Sequence, residues 1–143
     1  MAAAPDTSAL LYDAECRFCR WSLAWVLRSD RRQAVRPVAL QTGEALKLLG
    51  PMGEAERMRS WHLVAPDGRT ALAGAAAAPL ARLLPGGRGP AALLGLSPSL
   101  VERAYECIAR HRSSLSRPLS RGAIRRADEL IAARERATAG TDS

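Results

Sequence analysis

The sequence of 143 residues predicts an α/β fold with a β-α-β-α-β-β-α core and additional C-terminal helices. Three observations support this prediction. Short apolar runs alternate with stretches of helical periodicity over the first 84 residues. A Cys-x-x-Cys pair stands where the first strand gives way to the first helix, and a Pro-Asp-Gly turn joins two later strands. A parallel strand pair, a hairpin and helices on the sheet faces satisfy this order.

The first part of the chain is predicted to hold two strands and two helices. Residues 9–12 form a short apolar run typical of a buried strand, and residues 34–40 form a second. A helix is expected between them, over about 16–28, and a shorter one over 43–50. Residues 51–56 are expected to form a loop. The apolar face of the first helix is expected to consist of Phe18, Trp21, Leu23, Trp25, Val26 and Leu27.

The middle of the chain carries the strongest hairpin signal. Residues 60–74 read as two strands joined at Pro66-Asp67-Gly68. Helices are expected over about 75–84, 90–96 and 97–112. The last of these begins with Ser97 as a cap and Pro98 at the first helical position.

The end of the chain is predicted to be an amphipathic helix over 121–137. Its apolar face is expected to consist of Ile124, Ala127, Leu130 and Ile131. The length fits a domain at 1–117, with a core at about 9–84 and a helical extension at 90–117, followed by a C-terminal helix and tail at 118–143. The final helix is a candidate surface for docking a partner.

The charge of the chain argues against nucleic-acid binding. The net charge is +7, and the excess is +2, +2 and +3 over residues 1–50, 51–100 and 101–143. A nucleic-acid-binding protein usually gathers its positive charge on one face or segment. The apolar fraction of 48% is that of a globular protein.

Cysteine usage and the lack of long apolar segments predict a cytoplasmic protein. Three cysteines are an odd number, which argues against a secreted disulfide framework. The first ten residues lack the features of a signal peptide. The apolar stretch 71–84 is interrupted by Pro79 and Arg82 and is too short to span a membrane. In the cytoplasm a Cys-x-x-Cys pair tends to be catalytic or metal-binding.

The position of Cys16 and Cys19 favours redox chemistry. Residues three apart on a helix have Cα atoms about 5 Å from each other, within the range of a disulfide. The N-terminus of the helix stabilises a thiolate, which is the reactive species, and Arg17 and Arg20 add positive charge. We expect an exposed Cys16 of lowered pKa to attack and a more buried Cys19 to resolve the mixed disulfide.

Asp13 has two candidate roles. A carboxylate just before a helix can cap it or close an Asx-turn. It can also accept the proton of Cys19 during exchange. The sequence leaves both roles open.

Other functions of the cysteine pair remain open at this stage. Cys107 and His111 stand four apart on a predicted helix and could complete a zinc site with Cys16 and Cys19. The two thiols could also be buried and inert. A further alternative is a non-catalytic interaction domain on the same scaffold, because a fold does not determine its function.

The stretch "YDAECRFC" resembles the Tyr-Asp-Gly-x-Cys-x-x-Cys signature of the DCC-type thiol–disulfide oxidoreductases, a thioredoxin-like family. Further segments fall in the order that this family uses, and the resemblance covers roughly residues 9 to 117. These segments are "RSDRR" after the first helix, "PVALQT" at 37–42, the hairpin at Asp67-Gly68 and "AYECIARHR" at 104–112.

By position, Asp13, Cys16 and Cys19 match the signature, and Gln41 matches a glutamine that follows the second strand in the family. Ala14 stands where the family has glycine, and His111 where it has asparagine. The cis-proline of thioredoxins falls near residues 59–61, which contain no proline.

The resemblance and the residues together predict an enzyme that exchanges dithiol for disulfide. The expected substrates are a protein or a low-molecular-weight thiol or disulfide. No metal or organic cofactor and no membrane are implied.

Overall fold

The computed structural model describes residues 7–139. Within them a four-stranded sheet has the order β2-β1-β3-β4. Its strands are β1 (Ser8–Tyr12), β2 (Val35–Ala39), β3 (His62–Val64) and β4 (Thr70–Leu72). β1 runs parallel to β2 and antiparallel to β3, and β3 and β4 form the predicted hairpin. The α/β prediction is confirmed, and the architecture is consistent with a thioredoxin-like fold.

Seven α-helices accompany this sheet in the described part of the chain. They are α1 (Arg17–Ser29), α2 (Gly43–Leu49), α3 (Glu54–Arg59), α4 (Ala77–Leu83), α5 (Arg88–Leu96), α6 (Pro98–Ser116) and α7 (Arg121–Ala139). A short 3-10 helix at Ala73–Ala76 precedes α4. None of these helices combines the length and apolarity needed to cross a membrane.

Strand β1 is the centre of the core because both of its faces are covered. Side chains alternate along a strand. Leu10 and Tyr12 therefore pack with α1 and α7 on one face, whereas Ala9 and Leu11 pack with α2 on the other. The first turn after Tyr12 thus starts from a fixed point at the end of the sheet.

The predicted apolar face of α1 is partly wrong. Leu23, Val26 and Leu27 are buried as expected, but Trp21 and Trp25 are 39% and 57% exposed. The sheet and α7 take up the aliphatic side of α1, so the two indole rings lie at the edge of the α1–α7 contact, beside Arg126 and Ala127 of α7.

Two local predictions near the middle of the chain also need correction. Residues 54–59 form α3 rather than loop, so the loop is confined to residues 50–53. Acidic residues in the first turn of α3 and basic residues in its last turn favour the helix through its dipole. At α6, Pro98 is the first helical residue as predicted, but the Ser97 side chain makes no capping hydrogen bond.

Helix α7 packs against α1 and β2 through its predicted apolar face. Ile124, Ala127 and Ile131 are buried, and Leu130 is partly buried. Docking of a partner through the helix at 121–137 stays a prediction, but it would have to use the polar side of that helix. The division of the chain at residue 118 also stays a prediction.

One buried ion pair fixes α7 to the end of α1. Arg134 Nη1 donates to Asp30 Oδ2 at 2.7 Å, and the Asp30 side chain is fully buried. The same guanidinium donates to the carbonyl oxygens of Leu27, Asp30 and Val35. The Asp30 carboxylate in turn accepts the N–H groups of Ala34 and Val35. A single side chain of α7 therefore stabilises the C-terminus of α1 and the start of β2.

Candidate functional site

The side chains of Asp13 and Gln41, both predicted site residues, stabilise the turn between β1 and α1. Asp13 Oδ1 accepts the backbone N–H of Glu15 at 3.0 Å and the Gln41 side-chain amide at 2.8 Å. The Gln41 Oε1 accepts the backbone N–H of Ala14 at 3.2 Å. The structure therefore brings Asp13 and Gln41 together. Ala14 does not adopt a left-handed conformation, so alanine fits this turn without backbone strain.

Cys16 is the N-cap residue of α1. Its Sγ accepts a hydrogen bond from the backbone N–H of Cys19, with 3.2 Å between the sulfur and nitrogen atoms. Both cysteines are half-buried free thiols. Cys16 thus occupies the position at the helix N-terminus where unpaired N–H groups favour a negative charge.

The two thiols have opposite acidities. The hydrogen bond from the Cys19 thiol lowers the pKa of Cys16 most, and the Cys19 backbone N–H and the charge of Arg112 lower it further against the effect of burial, to about 6. The hydrogen bond with Cys16, burial and the Cys16 charge raise the pKa of Cys19 well above its ordinary value. Near neutral pH the pair therefore holds one thiolate, on Cys16, and one proton, on Cys19.

The predicted supporting arginines are engaged with the C-terminal part of the chain. Arg17 Nη2 donates to the Leu119 carbonyl oxygen at 2.6 Å, and Arg20 forms an ion pair with Asp128 at 2.8 Å. The cation with the largest effect on Cys16 is instead Arg112 of α6. Arg17 and Arg20 thus connect α1 to the C-terminal part of the chain, whereas the charge of Arg112 lowers the pKa of Cys16.

Sequence reasoning missed the contribution of α6. Ser116 Oγ accepts the backbone N–H of Phe18 in the first turn of α1, at 3.1 Å. Tyr105, Ile108, Ala109 and Arg112 line a cavity beside Cys19. Their helical spacing, continued by Ser116, is the signal that could have identified this face of α6 as part of the site.

The cavity has a volume of about 190 Å³ and lies between α1, α6, the end of β1 and the segment before β3. Most of its lining is apolar. The lining residues are Leu10, Tyr12, Asp13, Phe18, Cys19, Ser22, Leu23, Met58, Ser60, Trp61, Tyr105, Ile108, Ala109 and Arg112. Residues 60 and 61, where the sequence lacks the proline of thioredoxins, thus face Cys19.

The structure does not assemble the alternative zinc set. Cys107 and His111 contact each other on an exposed face of α6, where His111 Nδ1 lies 2.8 Å from the Cys107 carbonyl oxygen. Between residues 7 and 139, no three His, Cys, Asp or Glu side chains are grouped so that they could hold a metal ion. Cys16 and Cys19 are therefore paired with each other and not with Cys107 and His111.

Comparison with known proteins gives one match. A family model described as DCC1-like thiol-disulfide oxidoreductase matches residues 10–118, which is well over half of the chain. No curated protein and no solved structure matches the chain. The matched residues include the last three residues of β1, the cysteine pair and the whole of α6.

Proposed function

We propose that this chain, which belongs to the DCC1-like thiol-disulfide oxidoreductase family, exchanges dithiol for disulfide through Cys16 and Cys19. The observation that carries this proposal is the Cys16 sulfur at the N-cap of α1, which accepts the backbone N–H of Cys19 and whose pKa is lowered by the Cys19 thiol. This arrangement favours ionisation of one thiol and keeps the other protonated, which is what sequential attack requires.

In the first step the Cys16 thiolate attacks one sulfur of a substrate disulfide. The substrate S–S bond breaks, a mixed disulfide forms on Cys16, and one substrate thiolate leaves. In the second step Cys19 loses its proton and attacks the Cys16 sulfur, which releases the second substrate thiolate and leaves a Cys16–Cys19 disulfide. Asp13 lines the cavity beside Cys19 and is our candidate acceptor for that proton.

The substrates proposed for this reaction are a protein or a low-molecular-weight thiol or disulfide. The steps need no metal or organic cofactor, because Cys16 and Cys19 together donate the two electrons that reduce the substrate disulfide. We propose the cytoplasm as the compartment, where a reducing thiol pool regenerates the dithiol.

The pH dependence of Cys16 alkylation tests this proposal. Iodoacetamide reacts with the thiolate, so the rate should rise with a midpoint at about pH 6. The measurement uses a Cys107→Ser background, since Cys107 is exposed and would also react. A midpoint near the ordinary thiol value would contradict the assignment.

The second test is turnover. In a dithiothreitol-dependent disulfide reduction assay, Cys16→Ser should lose the activity, and Cys107→Ser should keep it. Equal turnover of Cys16→Ser and the parent chain would end the catalytic assignment.

A further inference from the structure

The cavity beside Cys19 has the shape of a binding site for a compact apolar group. Leu10 and Leu23 form its floor, and both are fully buried in the core. Phe18, Trp61 and Tyr105 contribute aromatic walls. Apolar cavities with a few polar groups at the edge are the usual sites for small ligands.

The wall formed by Trp61 and Tyr105 is fixed before any ligand arrives. The Trp61 backbone N–H donates to the Tyr105 hydroxyl at 3.0 Å, and the two rings stack with their centroids 5.9 Å apart. The Trp61 indole N–H donates to the Ala73 carbonyl oxygen at 3.0 Å. An extended peptide gains its affinity from backbone hydrogen bonds. Because Tyr105 already occupies the Trp61 N–H, this wall favours a compact ligand over an extended peptide.

Asp13 and Arg112 are the charged residues that line the cavity, and of the two only the Asp13 side chain forms hydrogen bonds in the described part of the chain. Asp13 is engaged by Gln41 and by the Glu15 N–H. Arg112 is half-buried and lines the cavity, and within residues 7–139 its guanidinium makes no hydrogen bond or salt bridge. A half-buried guanidinium whose N–H groups make no hydrogen bond favours an anionic group on the ligand, because arginine pairs well with carboxylates.

We infer that this cavity binds low-molecular-weight disulfides that carry a compact apolar or aromatic body and an acidic group, with the body against Trp61 and Tyr105 and the acid at Arg112. The inference rests on the proposed function, since the ligand sulfur would meet Cys16. In the reaction, the dithiol and one ligand disulfide give the Cys16–Cys19 disulfide and two ligand thiols, so that two electrons pass from the protein to the ligand.

A cavity-filling variant tests the location. Ala109 lines the cavity, whereas Ala104 is exposed on the same helix. In a Cys107→Ser background, we expect Ala109→Phe to slow single-turnover reduction of dithiobis(nitrobenzoate) by about tenfold or more, by analogy with the cost of a misfit in an apolar pocket. Ala104→Phe is the matched control and should leave the rate unchanged. Equal rates for the two variants would overturn the location.

A pair of disulfides tests the charge. Dithiobis(nitrobenzoate) is acidic and dithiodipyridine is neutral, but both are aromatic. Loss of Arg112 raises the pKa of Cys16 and therefore affects the reduction rates of both probes equally. A change in the ratio of the two rates then reports only the recognition of the acidic group. We expect Arg112→Gln to lower the acidic-to-neutral ratio about tenfold, and an unchanged ratio would overturn the role of Arg112 in binding.

A probe that cannot exchange separates binding from redox function. The probe is (methylthio)benzoate, a thioether that carries a carboxylate. It should shift the amide resonances of residues around the cavity in the parent chain, in Ala104→Phe and in Cys16→Ser. It should not shift them in Ala109→Phe. Binding of this probe without any Cys16-dependent exchange would defeat the proposed function and leave the site standing. Cys16-dependent exchange without binding of this probe would do the reverse.

Discussion

At the scale of single residues, the lowered pKa of Cys16 includes the effect of one charge that is distant in sequence. The spacing of Cys16 and Cys19 and their place before α1 could be read directly from the sequence. Arg112 could not, because it approaches the thiols only when α6 packs across α1. The arginines that lie next to the cysteines in sequence, Arg17 and Arg20, point to the C-terminal part of the chain instead.

Replacing Arg112 by glutamine should raise the pKa of Cys16. The charge of Arg112 lowers that pKa, so its removal should move the midpoint of Cys16 alkylation upward from about 6. Arg110→Gln is the matched control, since Arg110 is exposed on the same helix. An equal midpoint in both variants would mean that Arg112 does not support the thiolate.

Asparagine at position 13 should separate the two roles of Asp13. Asn keeps the oxygen that accepts the Glu15 N–H, so stability should change by less than about 0.5 kcal/mol. It cannot take a proton from Cys19, so release of the mixed disulfide should slow by about 100-fold. Quenched-flow mass spectrometry of the mixed disulfide gives this rate. Unchanged kinetics would restrict Asp13 to shaping the turn.

At the scale of elements, periodicity predicted the helices well where one face meets the core. It failed where tertiary packing chose between two apolar faces, as at Trp21 and Trp25 of α1. It also missed α3, because the signal of this short helix lies in its acidic and basic residues and not in an apolar repeat. The ends of α1 were beyond prediction, because Ser116 and Arg134 come from far along the chain to satisfy its terminal N–H and carbonyl groups.

Removing the guanidinium of Arg134 should strongly destabilise the fold. Arg134→Met leaves the buried Asp30 carboxylate without its ion pair, which costs about 3–5 kcal/mol of unfolding free energy. Urea unfolding followed by circular dichroism measures the loss. The control is Arg136→Met, an exposed position on the same helix, which should change stability by less than about 0.5 kcal/mol. A similar small loss at Arg134 would mean that the ion pair does not hold α7 in place.

At the scale of the whole molecule, the order of strands and helices was enough to predict the sheet and its hairpin. The cavity was not predictable, because its walls come from four segments that periodicity treats separately. Its position beside Cys19 follows from the packing of α6. The sequence predicted α6 as a helix but did not predict which elements it packs against.

The stability of the reduced chain should depend on pH through Cys16. Folding lowers its pKa from 9.0 to about 6, so its contribution is complete above the unfolded value and is lost as pH falls through the folded one. The difference in unfolding free energy between the reduced parent chain and Cys16→Ser should therefore grow as pH rises from about 6 to about 8.5. Urea titrations across this range measure it. A difference that stays constant with pH would contradict the ionised state of Cys16 in the folded chain.

Both ends of α1 form hydrogen bonds with residues that the ribosome adds long after the cysteines. These residues are Ser116, Leu119 and Arg134. A growing chain therefore carries its cysteines throughout the synthesis of α2 to α5, before the surroundings that tune them exist. Until α7 has emerged, the two thiols should behave as ordinary ones, so the nascent chain should acquire its distinctive reactivity only after α6 and α7 have packed against α1.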